Sequence, residues 1–337
     1  MDRFLLVRSG AEFSHAGAMN RRDFLITSSG LTAAGLLLRS PAIAQTPASS
    51  LAARPATATP APAVPEFLPL RRDVGVFTAR GGSIAWLASA AGLAAVDTQF
   101  PDTAAQFLAG LPGRGGRPLD VVINSHHHGD HTGGNGIFRP AAKSIVAHVN
   151  APRLQRERAE RDGTLARQTY ADTTFSSTWR QEIGSEVIRA RYHGRGHTSG
   201  DIVTYFEKAN VIHLGDLMFN RVYPFIDLPG GASIRHWAVL LEEVARTYPT
   251  DAIYIFGHGN PAFGVTGRST DLLVLRDYLS ALLDHVRRRI AAGEPKEKIV
   301  ALDNLPGFPD FHLPVGPANR LPGNLSAAYD ELIGQTG

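Results

Sequence analysis

One stretch constrains this chain more than any other. Residues 121–135, VVINSHHHGDHTGGN, run from an apolar strand pattern straight into His126, His127, His128, Asp130 and His131, then into Thr132-Gly133-Gly134. Four of the chain's 13 histidines crowd into this turn. A solvated, histidine-rich loop is the plain alternative, and it would have no fixed partners elsewhere in the chain. The placement speaks against it. The β-branched run Val121-Val122-Ile123 delivers a His-x-His-x-Asp-His pattern to a strand end, ahead of a glycine turn. There, residues two apart can converge on one ion while the next two reach a neighbouring one. Imidazole nitrogen together with carboxylate oxygen suits zinc, and also iron or manganese.

The body around this stretch alternates short β-branched runs with helical patterns. VGVFTARGGSIAWLAS, from Val74, predicts a hairpin around Gly81-Gly82, and GLAAVDTQF a strand ending at Asp97. DTAAQFLAGL predicts a short helix stopped by Pro112 and Gly113. LDVVINS and KSIVAHV predict buried strands, and APRLQRERAERDG a charged surface helix. VIRARYH, DIVTYFE and NVIHLGD follow as three successive strands. SIRHWAVLLEEVARTY places Ile234, Trp237, Leu240, Leu241 and Val244 on one helical face. AIYIFGHG is a final strand and residues 270–291 a long helix. Strands in two groups, each followed by helices, fit a four-layer αββα sandwich, two mixed β-sheets flanked by helices. Pattern alone fits an ordinary α/β sheet as well.

Composition, 43% hydrophobic and 19% charged over 337 residues, provides for a sizeable core. There is no cysteine, which excludes disulfides, thiolate ligands and cysteine nucleophiles. The formal charge of +3 is concentrated at the front, where Arg3, Arg8, Arg21, Arg22 and Arg39 outnumber Asp2, Glu12 and Asp23. The rest is near neutral, and no electrostatic case for nucleic acid remains.

That front segment reads as an export signal over residues 1–44. Arg21 and Arg22 precede an apolar run from Phe24 to Leu38, too short and too polar for a stable membrane span. Ala42-Ile43-Ala44 then provides a cleavage site before Gln45. The arginine pair followed by Asp23-Phe24-Leu25 resembles a twin-arginine signal, which implies a periplasmic protein met in transit by export machinery. Met19 is the natural start of such a signal. Residues 45–66, rich in Pro, Ala and Thr, read as a flexible linker, and residues 67–337 as the folded domain.

The turn at His126–His131 resembles the signature of the metallo-β-lactamase superfamily. The family's further ligand motifs follow in order: GRGHTSGD with His197, HLGDLMF with Asp216, and IFGHGNP with His258. The resemblance runs roughly from Asp73 to Phe263, favours the αββα sandwich and makes residues 67–337 a metallo-β-lactamase-like hydrolase domain. It implies two Zn2+ ions, with Fe or Mn as substitutes. His126, His128 and His197 would bind the first, and Asp130, His131 and His258 the second. Asp216 would bridge both, while His127 would point away. His193, four residues before His197, is the competing third ligand. Asp97 matches a position that braces the metal loop.

The activity so implied is hydrolysis. A hydroxide shared by the two metals and oriented by Asp130 would attack the carbonyl of an ester, thioester, lactone or lactam. Aspartate at position 216 resembles glyoxalase II-like thioesterases and lactonases rather than dedicated β-lactamases. A β-lactamase proper is one alternative, and a mononuclear iron dioxygenase acting on sulfur compounds on the same fold is another. The substrate would be a small carbonyl compound. Arg221 is expected to meet a substrate carboxylate, and Tyr223, Phe225 and Ile226 to form a pocket wall. His148, His213, His236, His285 and His312 are expected to be ordinary surface or core residues.

Overall fold

The computed structural model describes residues 64–311 and 319–334. The expected signal, nearly all of the linker, and His312 lie outside the described residues. No described helix is long and apolar enough to cross a membrane.

Seven strands form one sheet in sequence order: β1 (Glu66–Arg71), β2 (Val74–Thr78), β3 (Ile84–Ala88), β4 (Leu93–Val96), β5 (Val121–Asn124), β6 (Ile145–His148) and β7 (Thr173–Phe175). The first four pair antiparallel and the rest run parallel from β4 onward. Parallel neighbours need crossovers. Helix α1 (Pro101–Gly110) links β4 to β5, and the single-turn helices α2 (Gly129–Thr132) and α3 (Asn135–Phe138) link β5 to β6. Helix α4 (Asn150–Arg161) follows β6.

The second half adds β8 (Thr178–Ile183), β9 (Glu186–Tyr192), β10 (Ile202–Phe206), β11 (Val211–His213), β12 (Phe219–Asn220), β13 (Ile253–Ile255), β14 (His258–Gly259) and β15 (Thr266–Gly267). The second sheet has the order β15-β13-β11-β10-β9-β8, and β12 pairs separately with β14. Helix α5 (Ile234–Thr247) crosses between the parallel strands β11 and β13. Helices α6 (Ser269–Ala291), α7 (Lys296–Val300) and α8 (Leu321–Leu332) complete the order.

Alternation along the strands assigns the layers. Ala85, Leu87, Ala94, Val96, Val121 and Ile123 turn inward to meet Ile188, Ala190, Ile202, Phe206, Val211 and Ile255 of the second sheet. Their neighbours Ile84, Trp86, Leu93, Ala95 and Val122 face outward against Phe107 of α1 and Phe138 of α3. On the far side, Val203, Ile212 and Tyr254 pack against Trp237 and Leu241 of α5 and Leu275 and Leu279 of α6. Two mixed sheets face each other with helices outside, the αββα sandwich expected from the sequence. A strand buried on both faces has no polar side, so LDVVINS reads as a continuous apolar run.

Candidate metal centre

The centre is assembled where strands of both sheets end. β5 stops at Asn124, and Asp97, just past β4, grips the chain beyond it. Its Oδ1 accepts the Ser125 backbone N–H at 2.7 Å, and its Oδ2 accepts the Ser125 hydroxyl and His131 Nδ1–H, each at 2.7 Å. Asp97 has a φ of 72°, a left-handed conformation that aspartate tolerates better than most residues. Helix α2 then carries Asp130 and His131 on its only turn, with His128 as the residue before it.

The other strand ends close in from the second sheet. His197 sits between β9 and β10, in a turn tied by buried Asp201 to the Thr198 N–H (2.7 Å) and hydroxyl (2.6 Å). Asp216 follows β11 through Gly215, whose φ of 52° permits the sharp turn. A Cβ on Gly215 would lie 2.4 Å from Ser125 Oγ, so glycine is required for both conformation and space. His258 follows β13 through Gly257, where a Cβ would meet Asp216 Oδ1 at 2.1 Å.

Four histidines share one design: an outward ring nitrogen on a fixed partner and an inward one facing the centre. His131 Nδ1 is on Asp97, His197 Nδ1 on the Phe225 carbonyl (2.7 Å), and His128 Nε2 on Asp227 Oδ2 (2.8 Å). His126 Nδ1 lies 3.0 Å from Ser125 Oγ. Such outer partners set the tautomer and leave an inward lone pair. Inside, His128 Nδ1 and His197 Nε2 are 2.8 Å apart.

Asp216 points one oxygen to each side. Its Oδ2 is 3.8 Å from His126 Nε2 and 3.5 Å from His197 Nε2. Its Oδ1 is 3.0 Å from His131 Nε2 and 3.4 Å from His258 Nε2. His258 Nε2 also lies 3.1 Å from Asp130 Oδ2. The donor atoms of His126, His128, His197 and Asp216 fall within 4.8 Å of one another, as do those of Asp130, His131 and His258.

This donor set fits cations. His126 Nε2 is buried and makes no hydrogen bond, although buried polar atoms are nearly always paired. Burial, reinforced by neighbouring imidazoles, pushes His126 far below the ordinary imidazole range and His197 down to about 3. Burial opposes a proton on His131 and His258 too. There the carboxylates outweigh it: Asp216, Asp130 and Asp97 hold His131 well above its usual value, and Asp216 and Asp130 carry His258 up to about 9. Without metal, the aspartates are thus balanced by protons on imidazole, in the places where cations would serve.

All seven residues of the expected ligand set converge here. His193 does not: its ring lies between Glu243 (3.1 Å) and Tyr248 Oη (3.2 Å). His127 turns from the centre to a buried position with Nε2 3.4 Å from Asp227. Two contributors went unseen in the sequence. Asp227 holds His128 and also accepts the Gly230 N–H (3.0 Å). His213, expected to be an ordinary residue, is fully buried, with Nδ1 accepting the Gly215 N–H (3.2 Å) beside Asp216 and Nε2 near Ser83 O (3.3 Å). Strand alternation carried a signal, since position 213 shares the inward face of Val211.

The expected substrate contacts need correction. Tyr223 is buried against Tyr278 and Phe311 and is no pocket wall, because the chain after β12 turns it into the core under α6. Ile226 belongs to the same core. Arg221 is not free for a carboxylate: its Nη1 is on Asp271 (3.1 Å) and Asn220 Oδ1 (2.6 Å), and its guanidinium stacks over Phe263. Of the four, Phe225 alone stays exposed beside the centre.

A two-sheet sandwich whose strand ends gather histidines and aspartates at one rim defines the class of fold to which this chain is to be compared. The chain belongs to the metallo-beta-lactamase superfamily, whose family pattern matches residues 83–258. It is 24% identical over 147 residues to a metallo-beta-lactamase type 2 of Elizabethkingia meningoseptica, covering 43% of this chain and 55% of that protein. It is 32% identical over 181 residues to a hydroxyacylglutathione hydrolase of Methylococcus capsulatus, covering 51% and 61%. The chain thus spans about half the length of these curated relatives. Among solved structures, a metallo-beta-lactamase from Pontibacter korlensis superposes with a TM-score of 0.52 at 18% identity, over 64% of this chain and 99% of that one.

Proposed function

We propose that the protein is an exported, zinc-dependent hydrolase that opens an ester, thioester, lactone or lactam carbonyl. The observation that carries this reading is the orientation of Asp216, with one oxygen toward His126 and His197 and the other toward His131 and His258. In this reading His126, His128 and His197 would hold one cation, Asp130, His131 and His258 a second, with Asp216 offering an oxygen to each. A pair of divalent cations, when bound, supplies a nucleophile near neutral pH from water and polarises the substrate carbonyl. The chain's own residues do the rest. Asp130, whose side chain is 29% exposed, would orient the attacking water and take its proton on a carboxylate oxygen. The Phe225 carbonyl and Asp227 keep His197 and His128 in the tautomers that present Nε2 and Nδ1 inward. The curated relatives' names, a metallo-beta-lactamase and a hydroxyacylglutathione hydrolase, support a hydrolase.

Metal analysis of the purified protein is expected to find two zinc ions per chain, the ratio a two-metal site requires. A screen against a lactam, a lactone, a thioester and a phosphodiester is expected to show turnover of a carbonyl substrate and none of the phosphodiester. One iron per chain with oxygen uptake and no hydrolysis would overturn the assignment. Export is tested separately. Arg21→Lys with Arg22→Lys is expected to hold the protein inside the cell, and an unchanged periplasmic yield rejects the twin-arginine route.

A further inference from the structure

One apolar side chain stands exposed beside the centre. Phe225 leaves 42% of its surface open. Its ring centroid is nevertheless only 5.5 Å from that of His128 and 6.2 Å from that of His197. The bond from His197 Nδ1 to the Phe225 carbonyl pins the backbone there, so the ring is a fixed part of the opening. Two arginines flanking the centre are engaged with other side chains. Arg221 is held by Asp271 and Asn220 and covered by Phe263. Arg80, on the hairpin loop whose Gly82 N–H bonds the Asp130 carbonyl, is paired with Asp102.

We propose that the acyl group accepted by this centre is neutral and apolar, laid against Phe225, and that acyl tails ending in a second carboxylate are disfavoured. The inference rests on the hydrolase reading above and names its substrate class. An apolar tail removes the Phe225 ring from water and gains by burial and ring contact. A tail carboxylate laid against the same ring would give up hydration for a surface that offers it no hydrogen bond.

The product acids separate this inference from the reaction itself. Hexanoate and adipate carry the same carboxylate head and differ in whether the tail ends in methyl or carboxylate. Calorimetric titration of the zinc-loaded full-length protein is expected to show hexanoate binding at least about tenfold tighter than adipate, the scale of a few buried methylenes. Phe225→Ala is expected to narrow that ratio to about threefold or less, the ring contact being gone. The p-nitrophenyl ester of hexanoate and its carboxylate-ended analogue are assayed in parallel. Tight hexanoate binding without ester turnover leaves the tail assignment standing and removes the hydrolase reading. Adipate binding as tightly as hexanoate, neither acid binding, or an undiminished ratio in Phe225→Ala overturns the assignment.

Discussion

Asp216→Ala is expected to abolish hydrolysis while leaving a folded protein. Asp216 is the one carboxylate of the centre that faces both halves, Oδ2 toward His126 and His197, Oδ1 toward His131 and His258. Without it, the imidazoles and Asp130 are left to hold two like charges with no bridging anion between them. Turnover is expected to fall by at least about 10^3-fold, because an unactivated water has a pKa near 15.7 rather than near 7. The fold is expected to survive because the sandwich core does not depend on this side chain. In the metal-free protein Asp216 is also the largest of the carboxylate influences that favour protons on His131 and His258 against burial. Circular dichroism, metal content and turnover of one sample decide the matter. Full turnover by a variant of measured metal content contradicts the role, and His126→Ala is expected to behave in the same way.

The second large effect is on stability. Asp97→Ala removes the acceptor of three buried donors at once: the Ser125 N–H, the Ser125 hydroxyl and His131 Nδ1–H. Leaving a buried donor unsatisfied costs about 1–3 kcal/mol, and breaking a buried ionic contact by removing one partner costs about 3–5 kcal/mol. Because the three donors share one acceptor, their losses are not additive. A loss of about 3–5 kcal/mol is expected in denaturant unfolding of the metal-free protein. Asp97→Asn keeps one acceptor oxygen and a side chain that tolerates the left-handed backbone, so its loss is expected to be smaller, about 1–3 kcal/mol. Equal stability of Asp97→Ala and the parent would show that Asp97 does not brace the ligand loop.

Most of the architecture was legible in the sequence, and the parts that were not share a physical cause. Every strand flanked by neighbours on both sides in the first sheet carries a continuous apolar run, because helices cover one face and the second sheet the other. The strands without such a signature include β1 and β7 at the two edges of the first sheet, β8 and β15 at the two edges of the second, and the short pair β12 and β14. β8, Thr178-Trp179-Arg180-Gln181-Glu182-Ile183, alternates exposed and half-buried positions and ends in one buried residue. Such a strand is recognisable only once its partner β9 is known. The C-terminal helix α8 opens with Leu-Pro-Gly, which reads as a turn, yet its Leu321, Leu325 and Ala328 complete the core under α6.

The same division runs through the centre. The convergence of the seven residues was legible because each lies in a short motif that resembles part of the superfamily's ligand set. Asp227 and His213 were not, because their roles depend on what they meet across long gaps in the chain: Asp227 reaches His128, and His213 reaches Ser83. Loop 221–231 misled for a related reason. Tyr223 and Phe225 are two residues apart in one irregular segment, and nothing in their spacing says which is buried against Tyr278 and which is left open beside His128. Only the packing of α6 decides that.

Anomalous diffraction from a zinc-soaked crystal, recorded above and below the zinc absorption edge, tests the central claim most directly. Two peaks are expected roughly 3.5–4 Å apart, one among His126, His128 and His197, the other among Asp130, His131 and His258, with Asp216 between them. Those side chains facing apart, with no anomalous density among them, would contradict the account.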